Sequence, residues 1–280
     1  MTAEWRRDLA LVTGAAGGIG EACARLLAAR CDLVLTDVDG RGLERVTSEM
    51  REGASVRPVI TDLRSKGDRT RLLEEARATG RLRWVAHVAG VSPAMGDGGT
   101  VLEVDLVASE ALLAEASEDI VPGGAAVCIA SIAGHLLGDD PKIDAILDTP
   151  LEGDLKARLT EVLGSEPDSG IAYALAKRGI LRLCERLAPA WGRKGLRIVS
   201  VSPGLIDTSM GRLELQRTAG MAEMLQRVPL VRGRQADPTA LSGRRMDIAR
   251  AVDFLCSDDA SFISGCDLRV DGGLIPALRS

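Results

Sequence analysis

Tyrosine occurs once in the 280 residues of this chain, phenylalanine twice and tryptophan three times. A core of this size must then be packed by aliphatic side chains, and a phenol is no part of its general packing stock. Histidine occurs only twice, at His87 and His135, which is poor material for a metal site, and none is expected. The six cysteines (23, 31, 128, 184, 256 and 266) are scattered and form no CxxC pair. That pattern fits buried free thiols in a reducing compartment better than a disulfide framework. No stretch of 18 residues is apolar and uncharged, so no membrane-spanning helix is expected. Lysine and arginine total 35 against 40 acidic residues, a net charge of −5, which gives no electrostatic basis for a nucleic-acid or anionic-membrane partner. Only five of those cations are lysines, at 66, 142, 156, 177 and 194. The amino terminus opens with mixed charge and runs straight into a strand, leaving no room for a signal peptide. A cytoplasmic protein is the expectation.

Against these absences stands one stretch. Ile171, Leu175, Gly179 and Leu183 recur every four residues, with Ile180 and Leu187 widening the stripe, so the spacing predicts a helix over Gly170–Trp191. Tyr173 and Lys177 are also four apart and share a face of that helix. For an isolated pair, an amphipathic core helix with an incidental tyrosine and lysine is the simpler account. The surroundings decide.

Asp8–Thr13 reads as a strand buried on both faces, followed by a turn holding Gly14, Ala16, Gly18, Ile19 and Gly20 and then a helical pattern to Ala29. Such a turn lets backbone N–H groups approach a pyrophosphate at a helix amino end. The second strand, Asp32–Asp37, ends in a carboxylate 17 residues beyond Gly20, a position suited to the ribose hydroxyls of an adenosine. A carboxylate there repels a 2′-phosphate, and Ala15 and Ala16 supply no cation to attract one. NAD is therefore favoured over NADP, with Arg41 as the one counterweight nearby. A third strand, 55–60, leads to Thr61, Asp62 and Leu63, where Asp62 either accepts from an adenine amino group or caps the loop. A helix over 68–79 and a strand over 82–87 follow. The small residues Ala89 and Gly90 then permit a cofactor to pass close to the backbone. After a helix over 102–116, the strand 125–130 places Ser131 at its carboxyl end, the edge that carries the ligand crevice in open α/β sheets.

The rhythm breaks over about 138–168, a charged and apolar mixture predicting two helices near 142–147 and 152–163. The strand 196–201 leads to Pro203 and Gly204. The segment of about 205–245 carries Leu205, Ile206, Met210, Leu213 and Met221, either a flexible apolar lid over the substrate or ordinary packing helices. A helix over 247–256 and a strand over 266–270 close the pattern. Strands alternating with helices imply a single α/β domain over 1–280, a doubly wound parallel sheet with a helical insertion.

These ordered motifs resemble the short-chain dehydrogenase/reductase family over nearly the whole chain. Thr13-Gly14 through Gly20 is similar to its cofactor turn, and Ala89-Gly90 to the end of its Asn-Asn-Ala-Gly motif, although His87 and Val88 stand where asparagines are usual. Ser131, Tyr173 and Lys177 match its catalytic serine and YxxxK pair. Pro203, Gly204, Ile206 and Thr208 fall in the segment that closes over nicotinamide, and Asp271-Gly272-Gly273 matches its carboxy-terminal signature. The resemblance implies a Rossmann-like fold and NAD-dependent interconversion of a secondary alcohol and a ketone. Tyr173 is then the acid/base, Lys177 its electrostatic partner and grip on the ribose, and Ser131 the donor to the substrate oxygen. Asp105 stands where an asparagine usually holds a water of the proton relay.

A separation of 42 residues between Ser131 and Tyr173, against about a dozen in most members, resembles the bacterial 3α-hydroxysteroid dehydrogenase/carbonyl reductase type, which carries a helical insertion there. That likeness implies a homodimer through about 247–273 and a bulky apolar alcohol or ketone, such as a hydroxysteroid, held near Ser131, Tyr173, Leu205 and Met210. The unusual His87, Val88 and Asp105 leave a second reading, a catalytically weak NAD-binding scaffold or regulatory protein of the same fold.

Overall fold

A computed structural model describes residues 7–50, 53–217, 220–230, 241 and 243–280. The strands β1 (Asp8–Thr13), β2 (Asp32–Asp37), β3 (Val56–Ile60), β4 (Arg81–His87), β5 (Ala125–Ile129) and β6 (Arg197–Pro203) lie in one parallel sheet. Two short strands, β7 (Ile206–Asp207) and β8 (Gly243–Arg244), pair apart from it, and β9 (Asp267–Val270) completes its edge. The order is β3-β2-β1-β4-β5-β6-β9. It reverses direction between β1 and β4, so the loops after those strands part and open a crevice at their carboxyl ends.

Alternation along each strand fills both faces. Leu9 and Leu11 join Val34, Val85, Ala126 and Ile198 in a core on one side, while Ala10 and Val12 join Leu35, Ala86, Val127 and Val199 on the other. These side chains are essentially inaccessible. Each large one contributes on the order of 2 kcal/mol through loss of apolar surface to water. Helices α1 (Gly18–Leu27), α2 (Gly40–Ser48) and α3 (Lys66–Thr79) connect the first strands. The sequence reading passed over α2, whose two glycines and arginines dilute its apolar stripe. It forms because the Asp39 carboxylate caps the Gly42 N–H and because Leu43 and Val46 are buried.

The helix predicted over 102–116 is longer and interrupted. It runs from α4 (Gly98–Leu102) through a wide π-helical turn, Glu103–Val107, into α5 (Ala108–Ala116). The turn bulges where Leu106 packs against Gly179, at which a Cβ would lie 2.5 Å from the leucine methyl. The short 3₁₀ turn Ile132–His135 follows β5 and leads to the insertion.

The insertion forms α6 (Pro141–Leu147) and α7 (Leu155–Leu163). Its Leu147, Leu155 and Leu159 enter the same core as the sheet. It is clamped to the following helix, α8 (Ser169–Arg193), by charge: Arg178 binds Asp144 (2.6 Å) and Arg182 binds Asp148 (2.5 Å). One turn further, Arg186 binds Glu110 of α5 (2.7 Å). Asp168 caps α8 by accepting from the Ile171 N–H at 2.8 Å.

Two helices follow β7, α9 (Ser209–Arg217) and α10 (Met221–Arg227). Leu205, Met221, Leu225 and Val228 pack with Ile132, Leu274 and Ile275 in a third apolar cluster. That part of the expected lid is packed structure. The remainder of the expected substrate segment, residues 231–240 and 242, lies outside the described residues, as does the amino-terminal approach to β1. The chain ends in α11 (Arg245–Cys256), β9 and a helix the sequence reading did not foresee, α12 (Leu274–Arg279). The six cysteines are unpaired, and Cys266 differs from the other five in being exposed. Among the described residues no helix is long and apolar enough to cross a membrane.

Candidate active site

The glycine turn is shaped by backbone contact. Gly14 has φ +65°, and a Cβ there would lie 2.8 Å from the Ala89 nitrogen. One on Gly20 would lie 2.0 Å from the Gly14 oxygen. Only glycine lets the loops after β1 and β4 touch in this way. No side chain caps the first turn of α1, so its N–H groups remain available to an anion. Ile19 packs on the core beneath, and Gly18 lies under the Thr208 methyl.

Asp37 is tied into the same turn, accepting from the Ala16 N–H and the Asp39 N–H, each at 3.0 Å. Beside it opens a cavity of about 220 Å³ bounded by Gly14, Asp37, Asp62, Leu63, Ala89 and Gly90. Six predicted cofactor residues are thus brought to one wall. Asp62 does not offer a free acceptor there. Its carboxylate is held by Arg64 at 2.7 Å, a pairing that sets its pKa below the usual range. Arg64 itself, unread in the sequence, also lines the cavity. Uncapped amides, a cradle that a Cβ would fill, and a cavity ending on a carboxylate together fit an NAD(P)-type dinucleotide.

Ser131, Tyr173 and Lys177 come within reach of one another beside Gly90, which lines this cavity. Ser131 follows β5 in an extended conformation and accepts from the Ala133 N–H at 3.2 Å, which leaves its own proton to donate elsewhere. Gly134 lets this turn lie directly on α8, since a Cβ there would come within 2.7 Å of the Arg178 nitrogen. The Lys177 ammonium donates to the Ile129 oxygen (3.2 Å) and sits 5.4 Å from the centre of the Tyr173 ring. It also pairs with Asp105 at 3.0 Å. Both partners are buried, beneath Gly90, where a Cβ would press on carboxylate and ammonium alike.

Asp105 is therefore placed on the lysine, its second oxygen accepting from the Val91 N–H at 2.7 Å. Burial raises its pKa, opposed by the Lys177 charge. Burial alone would lower the lysine, but Asp105 carries it above its ordinary value. Tyr173 is pushed up to about 12, first by burial and then by the carboxylates of Glu214 and Asp105; Lys177 and Ser131 pull the other way.

His87, at the unusual motif position, is buried between Thr13 and Ser109. The Thr13 hydroxyl oxygen accepts from the Val88 and Ala89 N–H groups, both at 3.0 Å, so its own proton goes to His87 Nδ1 at 2.9 Å. Nε2 is then the protonated nitrogen and donates to Ser109 at 2.7 Å, which donates to the Asp105 carbonyl at 3.0 Å. Spacing alone could not reveal this chain, because Ser109 meets His87 only through the π turn.

Gly204 holds the next wall. Its N–H donates to the Val270 oxygen at 3.0 Å, and it abuts Asp271, whose carboxylate caps α12 through Gly273 and Ile275. Pro203 ends β6, and Thr208 caps α9 by accepting from the Gly211 N–H at 3.0 Å. Ile206 is buried with the second core. Of the four expected substrate residues, Ser131 and Tyr173 lie within hydrogen-bonding reach of each other, Leu205 is absorbed in the third apolar cluster and Met210 is half-exposed.

Comparison with known proteins agrees with this geometry. Residues 8–138 match the family model for short chain dehydrogenase, and residues 160–275 match the model for Enoyl-(Acyl carrier protein) reductase. The chain is 31% identical to the short-chain dehydrogenase/reductase bsc3 of Alternaria brassicicola, covering 96% of both chains. It is 30% identical to the cis-4-hydroxycyclohexanecarboxylate dehydrogenase of Sinomonas cyclohexanicum, covering 95% of each. Among solved structures it is similar to the 3-alpha-hydroxysteroid dehydrogenase from Pseudomonas sp. B-0831 complexed with NADH. The TM-score is 0.73 and the identity 28%, over 97% of this chain and 98% of that one.

The buried histidine generates a stability prediction. Burial and the Lys177 charge lower its pKa from 6.5 to about 3. Below pH 6.5 the unfolded chain takes up a proton that the folded chain refuses, so this contribution is complete above 6.5 and lost as pH falls toward 3. Its slope is about 1.4 kcal/mol per pH unit. Urea unfolding of His87→Asn should be flatter than that of the parent protein by one proton between pH 6 and 4. Equal slopes would mean that His87 is not held neutral in the folded state.

Proposed function

Because the chain belongs to the short-chain dehydrogenase/reductase family, we propose that it is an NAD-dependent oxidoreductase interconverting a secondary alcohol and a ketone, carried by a single domain over 1–280. The observation that carries this reading is the convergence of Ser131, Tyr173 and Lys177 at the mouth of a dinucleotide-shaped crevice. Gly14, Gly18, Gly20 and the first turn of α1 would hold the pyrophosphate, Asp37 the adenosine ribose, and Lys177 the ribose beside the nicotinamide. When bound, the nicotinamide supplies or accepts the hydride.

The chain's own groups handle the proton. Ser131 donates to the substrate oxygen, fixing it and stabilising charge as it develops there. Tyr173 then gives its phenolic proton to that oxygen in reduction, or takes it in oxidation. With its pKa pushed to about 12 the phenol is protonated at neutral pH, which suits reduction, while oxidation must wait for higher pH. The Lys177 ammonium favours the phenolate, but Asp105 matches its charge and blunts the effect. That ion pair is the observation favouring the second reading, a dinucleotide-binding protein of weak activity.

For the substrate we propose a bulky apolar body, a hydroxysteroid being one candidate, with half-exposed Met210 beside it. The solved structure of a 3-alpha-hydroxysteroid dehydrogenase supports it, whereas the relative acting on a hydroxycyclohexanecarboxylate keeps smaller rings open. For assembly we propose a homodimer through about 247–273. The chain's only two phenylalanines, Phe254 and Phe262, are both exposed there, Phe262 fully, as is Leu268 of the edge strand β9. Charged α6 meanwhile covers the outer face of α8.

Three measurements follow. Tyr173→Phe should lower turnover of a panel of ketones and secondary alcohols by roughly a hundredfold or more, and Asp105→Asn should shift the alkaline limb of alcohol oxidation down by roughly one pH unit. Tight NAD binding with no turnover by the parent protein on any member of the panel would favour the scaffold reading instead. Titration should show NAD binding more tightly than NADP, with Asp37→Ser narrowing the gap; tighter NADP would assign the pocket to Arg41. Sedimentation should give a dimer that Phe262→Asp converts to a monomer, and a tetramer unaffected by that change would remove the proposed interface.

A further inference from the structure

Helix α9 bridges the crevice. It starts at Thr208, over the glycine turn, and ends where Arg217 donates to the Ala94 oxygen (3.2 Å) in the loop after β4. Leu215 anchors its underside in the apolar cluster with Ile132 and Leu205. Its neighbour Glu214 lies half-buried within electrostatic reach of Tyr173, Lys177 and Asp105.

Among the described residues nothing bonds to the Glu214 carboxylate. On its own helix Arg212 is engaged by Asp207 (2.7 Å) and Arg217 by Ala94. From α10, Glu223 and Arg227 point to solvent, the arginine bonded to the Ala277 oxygen. From α8 and the π turn come only Tyr173, Lys177 and Asp105, and the lysine already has its counter-charge. The proton-handling end therefore carries one carboxyl group more than it has cations. Half-buried on a helix that spans the crevice, and without a protein partner among the described residues, this carboxylate is free to accept a hydrogen bond from a ligand.

We infer that Glu214 is a specificity-determining residue that accepts a hydrogen bond from a second donor, hydroxyl or ammonium, on the substrate. This inference rests on the oxidoreductase reading and narrows it. The substrate combines an apolar body with a donor remote from the reacting carbon, and substrates carrying a carboxylate in that place are rejected by like charge. Burial pushes the Glu214 carboxyl up to about 7, so its proton is lost across the neutral range, and recognition of an ammonium strengthens as it goes.

The test compares cyclohexanol, the cyclohexanediols, the aminocyclohexanols and the hydroxycyclohexanecarboxylates, each substituted set at 1,2, 1,3 and 1,4 spacing, by kcat/KM with NAD. The best donor-bearing alcohol should exceed cyclohexanol by about tenfold or more, mostly through KM. The hydroxy acids should be poorest. Glu214→Leu should abolish that ratio for diol and amine, while Glu214→Gln should retain a diol preference and lose the amine preference together with the fall of its KM through pH 7. Ratios that Glu214→Leu leaves unchanged, or a preference for the hydroxy acids, would overturn the inference while leaving the dehydrogenase reading intact. Absence of turnover on every alcohol would instead remove the reading on which it rests.

Discussion

A buried ammonium and a buried carboxylate, 3.0 Å apart beneath Gly90, constrain everything around them. Neither charge is tolerable alone in that position, and removal of one partner from such a pair costs on the order of 3–5 kcal/mol. Lys177 arrives on α8 and Asp105 on the π turn, so the two elements must keep their register. Gly179 permits the close approach of Leu106 that sets it. The hydrogen-bonded line from Thr13 through His87 and Ser109 reaches the carbonyl of that same aspartate. The glycine turn after β1 and the Lys177–Asp105 pair are thereby parts of one polar structure. Such a structure is strong when every member is satisfied and vulnerable when one is not.

The same pair changes the character of the tyrosine. A lysine free to act on a phenol favours the phenolate, whereas one already matched by an aspartate acts weakly. Burial, Glu214 and Asp105 hold the Tyr173 phenol above its ordinary value in spite of Lys177. Family membership and local chemistry are separate conclusions, and here the second depends on burial together with Glu214 and Asp105.

Much of this was legible in the sequence because it is local. Strand runs, the glycine turn and the four-residue step from Tyr173 to Lys177 are short-range patterns, and the order in which they occur determines the sheet. The insertion was visible as a lengthened step between Ser131 and Tyr173 and as mixed charge. What escaped was in part local capping that leaves no periodic pattern and in part distant residues meeting. The capped helix α2 is short and polar, with only Leu43 and Val46 buried, and the π turn has no periodic signature. Of the two readings of Asp62, loop capping holds: it accepts from the Arg64 N–H at 3.0 Å and pairs with that side chain, which the sequence reading did not name. Glu214 sits in an unremarkable stretch between two leucines, and only the placement of α9 turns it toward the lysine.

The arginines at 178, 182 and 186 lie one turn apart along α8, and the first two meet carboxylates on α6 that are themselves four residues apart. This matched ladder ties the inserted segment to arginines 34 residues downstream of their acids. In recombination between relatives, a crossover falling between residues 148 and 178 would separate acids from bases and strand like charges on a partly buried surface. The insertion is thus inherited together with the outer face of α8. The heritable unit is a pair of surfaces, and the opposite face of the same helix, with Tyr173 and Lys177, travels with it.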